Sequence, residues 1–408
     1  MPNKSKTIAI VNGTGRQAAS VIRAVAALGY AVRAQVHSLQ GLVAEELAEF
    51  PNVTLFEGPL LNNQVLIDTV FEGAQIAFIN TNPLGGDEIK IGKALANAAK
   101  KRNIQHYIYS SMPDHSIHNP HWPALPQWAC KFTVENYIRQ LGLPSTFVYA
   151  GIYNNNFTSL PYPLFCMDFK DNGRLEWRAP FHPDTKLPWL DAEHDVGPAV
   201  LQIFKDGPSK WNGHRYVCPP CLARFTEFSV LVLHHEPTNE NDWNIGGRSS
   251  PFQERRELEA DLDLTLHITR IALAFEMLTP IQVCQAFEQA LERPCKYVFD
   301  KHIEVKVPVP NGYREQLAGI EILFGQYNAP YFPGPDFDYD TRRKGSNETI
   351  TPGRNSSESR KAKPGKLTDE ARSLWPAYRP IYEYAKEAFI VEEEANGKTW
   401  MIDKSVST

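Results

Sequence analysis

The sequence predicts a doubly wound α/β fold, a parallel sheet with helices on both faces, joined to a second, smaller α/β domain. Three observations predict it. Short apolar runs alternate with amphipathic stretches through the first 157 residues, glycines stand in the turn after the first of those runs, and past about residue 160 the composition shifts to aromatics and prolines. With 408 residues and 42% hydrophobic content, the chain exceeds one ordinary domain and can bury a sizeable core.

The first unit, 7–28, organises the rest. Ile8, Ala9, Ile10 and Val11 form the apolar run that a parallel strand covered on both faces requires. Gly13 and Gly15 follow, and Ala18, Val21, Ile22 and Val25 recur at helical spacing, so the turn opens a helix with one apolar face, which Gly29 ends. A tight turn without a ligand is the plain alternative, but the pattern Gly13-x-Gly15-x-x-Ala18 sits between a strand and a helix, with a second strand at 31–36. Glycine suits a backbone that must approach a pyrophosphate held by N–H groups at the positive end of a helix. Asn12, Gly13, Thr14, Gly15, Arg16 and Gln17 are therefore assigned to a dinucleotide site of Rossmann type.

The alternation continues with strands at 53–56, 76–79, 106–109 and 145–149 and helices at 62–71, 89–101 and 132–141. The helix at 89–101 runs into Lys100, Lys101 and Arg102, the charge sign its C-terminus favours. The dinucleotide-binding domain is expected to span 1–157, with segments near 189–215 and 271–275 returning to it. Ligands of such sheets lie beyond the carboxyl ends of the strands. That rule nominates the loops 12–17, 36–38, 58–60, 80–83, 110–112 and 151–157, and within them His37, Ser38, Pro59, Leu60, Thr81, Asn82 and Pro83 as further coenzyme contacts.

A smaller domain is expected over 158–340. In it Thr279-Pro280-Ile281-Gln282 has the form of a capping box with proline at the first helical position. The stretch 341–366 is rich in Ser, Gly, Pro, Lys and Arg without apolar spacing and predicts a flexible linker. A helical tail, 367–408, opens with Thr368, Asp369 and Glu370, and Trp375, Tyr378, Tyr382, Tyr384, Ala388 and Phe389 give it the aromatic surface to dock.

Composition narrows the function. The net charge of -5 provides no global field for DNA or anionic lipid, and the chain carries no nucleic-acid-binding motif. No apolar run is long enough to span a bilayer, and the N-terminal residues lead straight into the first strand without a secretory leader. The six cysteines are scattered, so reduced thiols are expected. No metal site is expected.

The stretches VNGTGRQAASVIRA, WACKFTVENYI, AGIYNNNF, WNGHR, IALAFEMLTP, GYREQL and EEEANG together resemble the NmrA-like family of fungal nitrogen metabolite repression regulators, within the atypical short-chain dehydrogenases. The resemblance implies a protein that binds NAD or NADP and represses nitrogen-catabolic genes through a GATA-type zinc-finger activator, acting in nucleus and cytoplasm and open to redox sensing. It implies no direct contact with nucleic acid.

In short-chain dehydrogenases a tyrosine four residues before a lysine supplies the proton, its phenol pKa lowered by the ammonium. Lys131 matches that lysine, but Gln127 stands four residues earlier, and an amide cannot donate and recover a proton. Ser110 or Ser111 can fill the family's serine position without replacing the phenol. The expectation is no catalysis, with Lys131 left to hold a ribose hydroxyl. The alternative is an active NAD(P)H-dependent oxidoreductase in which Tyr109, Tyr149 or Tyr153 reaches in from another strand.

The second strand, Ala31-Val32-Arg33-Ala34-Gln35-Val36-His37, ends without the acid that would select NAD. His37 is a poorer phosphate partner than arginine, so both oxidised nucleotides are expected to bind, NAD at least as well as NADP. The loop Tyr153-Asn154-Asn155-Asn156-Phe157 resembles the family's contact near the nicotinamide end, which adds Tyr153, Asn155, Asn156 and Phe157 to the coenzyme site.

A GATA finger is basic, so charge nominates two acidic runs as its partner surface: Asp191, Glu193 and Asp195, and Glu392, Glu393 and Glu394. The clusters Arg342-Arg343-Lys344 and Arg360-Lys361-Ala362-Lys363 have the composition of nuclear-import signals.

One segment, 216–270, has no periodicity linking it to its neighbours. In the family WNGHR and IALAFEMLTP follow one another directly. Arg215-Tyr216-Val217 can be encoded around a G|GTATGT intron donor and Thr269-Arg270 around an acceptor ending in AG, so the segment has the form of an intron read in frame. Cys218-Pro219-Pro220-Cys221 lies inside it with no second pair at metal spacing, and carries no function on this reading. The mature transcript, when sequenced, is expected to lack codons 216–270 in its dominant form; their presence there would refute the intron.

Overall fold

The computed structural model describes residues 6–159, 164–165, 167–170, 173–211, 270–303, 305, 312–334 and 367–395. Its first six strands are β1 (Thr7–Ile10), β2 (Ala31–Val36), β3 (Val53–Glu57), β4 (Ile76–Ile79), β5 (His106–Ser111) and β6 (Ser145–Ala150). They pair in parallel in the order β6-β5-β4-β1-β2-β3. Helices α1 (Arg16–Ala26), α2 (Leu42–Ala48), α3 (Gln64–Val70), α4 (Glu88–Lys101) and α5 (Pro126–Gln140) make the crossovers.

The order reverses between β1 and β4, which opens a crevice at their carboxyl ends. Period two along each strand sends alternate side chains to opposite faces. Ile8 and Ile10 join Val32, Phe78, Ile108 and Val148 under α1. Ala9 and Val11 join Ala77, Ile79, Tyr107 and Phe147 under α3, α4 and α5.

After β6 the chain forms β7 (Ile152–Tyr153), α6 (Asn156–Ser159), β8 (Met167–Phe169), β9 (Leu175–Ala179) and β10 (Leu187–Leu190). Helices α7 (Val196–Asp206) and α8 (Pro208–Trp211) follow, and α7 packs across α1. Strand β11 (Arg270–Leu273) then pairs in parallel with β6 as the seventh strand of the main sheet. Arg270 belongs to this strand rather than to the interposed segment, because its Nε donates to the fully buried carboxylate of Glu135 at 3.0 Å. The rest of that segment, 216–269, with Cys218 and Cys221, lies outside the described residues, as do the stretch 341–366 and its basic clusters.

Two small sheets complete the second region: β7-β10-β12, with β12 at Glu276–Leu278, and β8-β9-β13, with β13 at Cys295–Phe299. Between them run α9 (Pro280–Leu291) and, further on, α10 (Tyr313–Ile320). The capping box on α9 is present: Thr279 Oγ1 accepts the Gln282 N–H at 3.2 Å and Gln282 Oε1 accepts that of Thr279 at 2.9 Å. The tail forms α11 (Leu367–Leu374), then a helix from Ile381 to Ala395 with a π-helical stretch inside it. Ala371 and Leu374 join the α1 face of the core, Tyr378 stacks on Phe275 at 5.4 Å, and Phe389 meets Phe287 edge-on at 5.1 Å.

Two elements differ from expectation. Helix α5 begins at Pro126, six residues before the expected 132, with proline at its first position. Its first turns carry Trp128, half-buried against Phe324 and Tyr331 of the second region rather than the sheet, so the apolar period breaks there. Helix α2 has no counterpart in the sequence reading because it buries only Ala44 and Leu47 and leaves Leu42 exposed.

The α1–α7 crossing sets the tightest approach in the fold. A Cβ on Gly197 would lie 2.1 Å from the Ser20 carbonyl oxygen, and the Gly197 N–H donates to Ser20 Oγ at 2.9 Å. Gly197→Ala must push two helices apart. It is expected to lower unfolding stability by about 1–3 kcal/mol or more, read as a fall in the urea midpoint at constant slope. An unchanged midpoint would show that the crossing yields freely.

Candidate functional site

The glycine turn between β1 and α1 is held by one buried side chain that the sequence reading missed. Gln35 of β2 accepts the Asn12 N–H on Oε1 at 2.9 Å and donates from Nε2 to the Gly58 carbonyl at 2.8 Å. Its own carbonyl accepts the Gly13 N–H at 2.7 Å. The signal was a polar residue flanked by buried Ala34 and Val36 in a fully covered strand, a place where an amide needs partners.

Asn12 sits at φ 56°, in the left-handed region that asparagine tolerates. A Cβ on Gly13 would stand 3.2 Å from the Gln35 carbonyl oxygen, and one on Gly15 2.8 Å from Asn12 Nδ2. A side chain at either position would therefore crowd its neighbours, the Gln35 carbonyl at Gly13 and the Asn12 amide at Gly15. Gly15 caps α1 without a side-chain acceptor, and the first turn of α1 carries no acid, so its N–H groups stay available to an anion.

The nominated residues divide into groups. Thr14 is half-buried in the turn itself. Arg16 pairs with Glu193 in the turn after β10. His37 is exposed, Ser38 Oγ accepts the Gln40 N–H at 3.0 Å, and Pro59 and Leu60 lie beyond β3 on the same edge. Asn82 caps the short turn that begins at Pro83 by accepting the Leu84 N–H at 2.9 Å.

Beyond β5 and β6 lies a cavity of about 310 Å³ between the sheet edge and the second region. Gln17, Pro83, Lys131, Tyr153 and Asn156 line it, as do Ser110 and Gln127, while Phe165, Phe181 and Phe324 make an aromatic far wall. Gln17 donates from Nε2 to the Tyr153 hydroxyl, and its Oε1 is buried without a hydrogen-bond partner.

Gln127 and Lys131 share one face of α5 and both meet the cavity. The Lys131 ammonium is paired with Glu88 Oε1 at 2.9 Å and donates to the Thr81 carbonyl at 2.7 Å. Thr81 Oγ1 donates to the same Glu88 oxygen at 2.6 Å and lies 3.1 Å from the Tyr109 hydroxyl. The lysine thus faces a carboxylate, with no phenol at position 127 to activate. Of the substitute tyrosines, Tyr149 donates to buried Glu135 at 2.8 Å and Tyr109 belongs to the Thr81 network; neither lines the cavity. Tyr153 does line it, but burial pushes its phenol above the ordinary value, the reverse of what a proton-transfer group at neutral pH needs.

Two nominated contacts lie elsewhere. The Asn155 side chain is fully buried, its Oδ1 accepting the Ala192 N–H at 3.0 Å and its Nδ2 donating to Glu392 at 3.3 Å. The Phe157 ring is packed among Trp177, Trp189 and Phe287, with centroids 5.0–5.9 Å away, in the core of the second region.

The acidic runs need the same correction as partner surfaces. Asp191 and Asp195 are fully buried. Arg379 of the tail pairs with Asp191 at 2.7 Å, and His194 Nδ1 lies 2.6 Å from Asp195 Oδ1. Glu193 is engaged by Arg16. In the other run Glu393 is buried and Glu392 bonds Thr158 and Tyr384, which leaves Glu394 alone exposed. Among the described residues no group of three His, Cys, Asp or Glu could hold a metal ion, and no helix is long and apolar enough to cross a membrane.

The sequence matches the NmrA-like family over residues 4–222 and 260–385, which is most of its length. The chain belongs to the NmrA-like family. The match passes over 223–259, inside the interposed segment. Within the NmrA-like family, the nitrogen metabolite repression protein nmrA of Emericella nidulans is 55% identical over 98% of this chain and 100% of its own. The nitrogen metabolite repression protein nmr of Neurospora crassa is 43% identical over 99% and 72%. A crystal structure of NmrA, a negative transcriptional regulator, in complex with NADP superposes with a TM-score of 0.76 at 54% identity, covering 98% of this chain and 100% of that one. NmrA in complex with NAD gives the same values.

Behind the aromatic wall, His115 contacts Trp128 and Phe324 and bonds the Pro330 carbonyl at 3.0 Å. Burial lowers its pKa to about 4 and does the same to His106, under Phe204. Unfolded histidine titrates near 6.5, so between about pH 6.5 and 4 the unfolded chain binds two protons that the folded chain does not. Stability should therefore fall as pH drops through that window, by up to roughly 2.7 kcal/mol per pH unit from this pair. Urea unfolding as a function of pH measures the slope, and replacing either histidine should remove about one proton from it. A slope unmoved by both replacements would show that these rings do not govern the dependence.

Proposed function

We propose that the protein is a NAD(P)-binding transcriptional co-repressor of nitrogen metabolite repression that holds its dinucleotide without turning it over. The observation that carries this is Gln127 on the cavity wall one turn before Lys131, where a dehydrogenase of this group has its proton donor. The glycine turn and the free N–H groups of α1 fit a pyrophosphate, and Gly13 and Gly15 give the close approach it needs. The loops carrying His37, Ser38, Pro59 and Leu60 would take the adenosine half, and Thr81, Lys131, Tyr153 and Asn156 the nicotinamide half. The dinucleotide, when bound, supplies charge and a redox-sensitive ring; the chain's part is to bind and orient it.

Support for the regulatory role comes from the Emericella nidulans and Neurospora crassa relatives, both named for nitrogen metabolite repression, and from NmrA, a negative transcriptional regulator solved with NADP and with NAD. The partner on this reading is a GATA-type zinc-finger activator, met in nucleus and cytoplasm, with the oxidation state of the dinucleotide as a candidate signal. The rival reading, an NAD(P)H-dependent oxidoreductase, has Tyr153 in its favour, because that hydroxyl meets the cavity.

Calorimetric titration with NAD and NADP, then with a basic GATA finger, tests the proposal. Both oxidised nucleotides should bind, His37→Arg should move the preference toward NADP, and no electron acceptor should elicit NAD(P)H oxidation. Steady turnover abolished by Tyr153→Phe would establish the oxidoreductase instead.

A further inference from the structure

The second strand ends without an acid, yet an acid stands beside its end. Glu57 is the last residue of β3 and pairs in register with Val36, the last residue of β2. The two strand ends are locked together on either side of the side chain: the Gly58 N–H donates to the Val36 carbonyl at 3.0 Å, and Gln35 Nε2 donates to the Gly58 carbonyl at 2.8 Å. From that fixed base Glu57 reaches over the loop after β2, where its Oε1 accepts the Leu39 N–H at 3.0 Å.

We infer that Glu57, supplied by the neighbouring strand, is the residue that sets the preference between NAD and NADP. This rests on the dinucleotide reading above, in which the loop after β2 receives the adenosine ribose. A carboxylate held against that loop accepts a ribose hydroxyl and repels a 2′-phosphate. The bond to Leu39 uses Oε1, and Glu57 is exposed, as is His37 in the loop it reaches over. The placement predicts graded rather than absolute discrimination. In the usual arrangement the acid belongs to the strand beneath the ribose. Here it lies one strand further out, next to an exposed histidine, so it weakens NADP without excluding it.

Titrating NAD and NADP into the full chain and into Glu57→Gln and Glu57→Ala separates the possibilities. Glutamine keeps an acceptor for Leu39 and removes the charge. Glu57→Gln should tighten NADP roughly tenfold while NAD stays within about twofold, and salt should narrow the gap between the two nucleotides in the unaltered protein by screening Glu57. Adenosine 2′-phosphate should follow NADP, and 5′-AMP should follow NAD. An NAD:NADP ratio unmoved by Glu57→Gln overturns the assignment while leaving dinucleotide binding intact. Equal weakening of both nucleotides by glutamine and alanine makes Glu57 a loop anchor only, and also overturns it. If the unaltered protein binds neither nucleotide, the assignment falls together with the reading beneath it.

Discussion

The binding edge of this protein depends on where the Gln35 amide goes. One side chain from β2 receives an N–H from the turn after β1 and gives its own to the carbonyl after β3, so three strand ends are set by a single buried group. A buried amide left half-bonded loses its desolvation energy without return. The close approach at Gly13, to the Gln35 carbonyl, and the register that places Glu57 beside Val36 belong to the same junction. The site is built on rigid strand ends, and its loops need little ordering to accept a ligand.

The cavity behind that edge holds a lysine and an amide on one face of α5 against an aromatic far wall. A lysine that would elsewhere lower a phenol pKa is here paired, at the cavity wall, with the buried carboxylate of Glu88. Removing either partner alone would strand a charge away from water. The far wall of the same space is aromatic, and desolvation holds the Tyr153 phenol above its ordinary pKa.

How much of this was legible in sequence follows from the range of the interactions. The strand, glycine turn and helix of 7–28 are neighbours in the chain, and the capping box at Thr279 spans four residues, so both are plain from the text. Gln17, Lys131, Tyr153 and Asn156 line one cavity because all lie at carboxyl ends of strands or on the helix after one. Gln35 and Glu57 were not legible, since what matters about each is a partner on another strand. Asp191 and Asp195 misled for the same reason. They read as an exposed acidic patch until Arg379, 188 residues away from Asp191, is brought against them. Asn155 likewise has its amide occupied by Ala192 and Glu392.

The Arg379 bonds tie the tail to the base of α7. Asp191 and Asp195 lie under the first turn of α7, the helix that crosses α1, and their carboxylates enter the interior with Arg379 and its backbone N–H as counterparts. Both acids also have nearer partners, since the N–H groups of Glu193 and His194 donate to Asp191 and the His194 ring meets Asp195, so Arg379 completes a network begun within the α/β core. Without Arg379 the buried Asp191 carboxylate would lose its cation at the base of the helix that crosses α1, so the tail carries a charge that the α/β core needs.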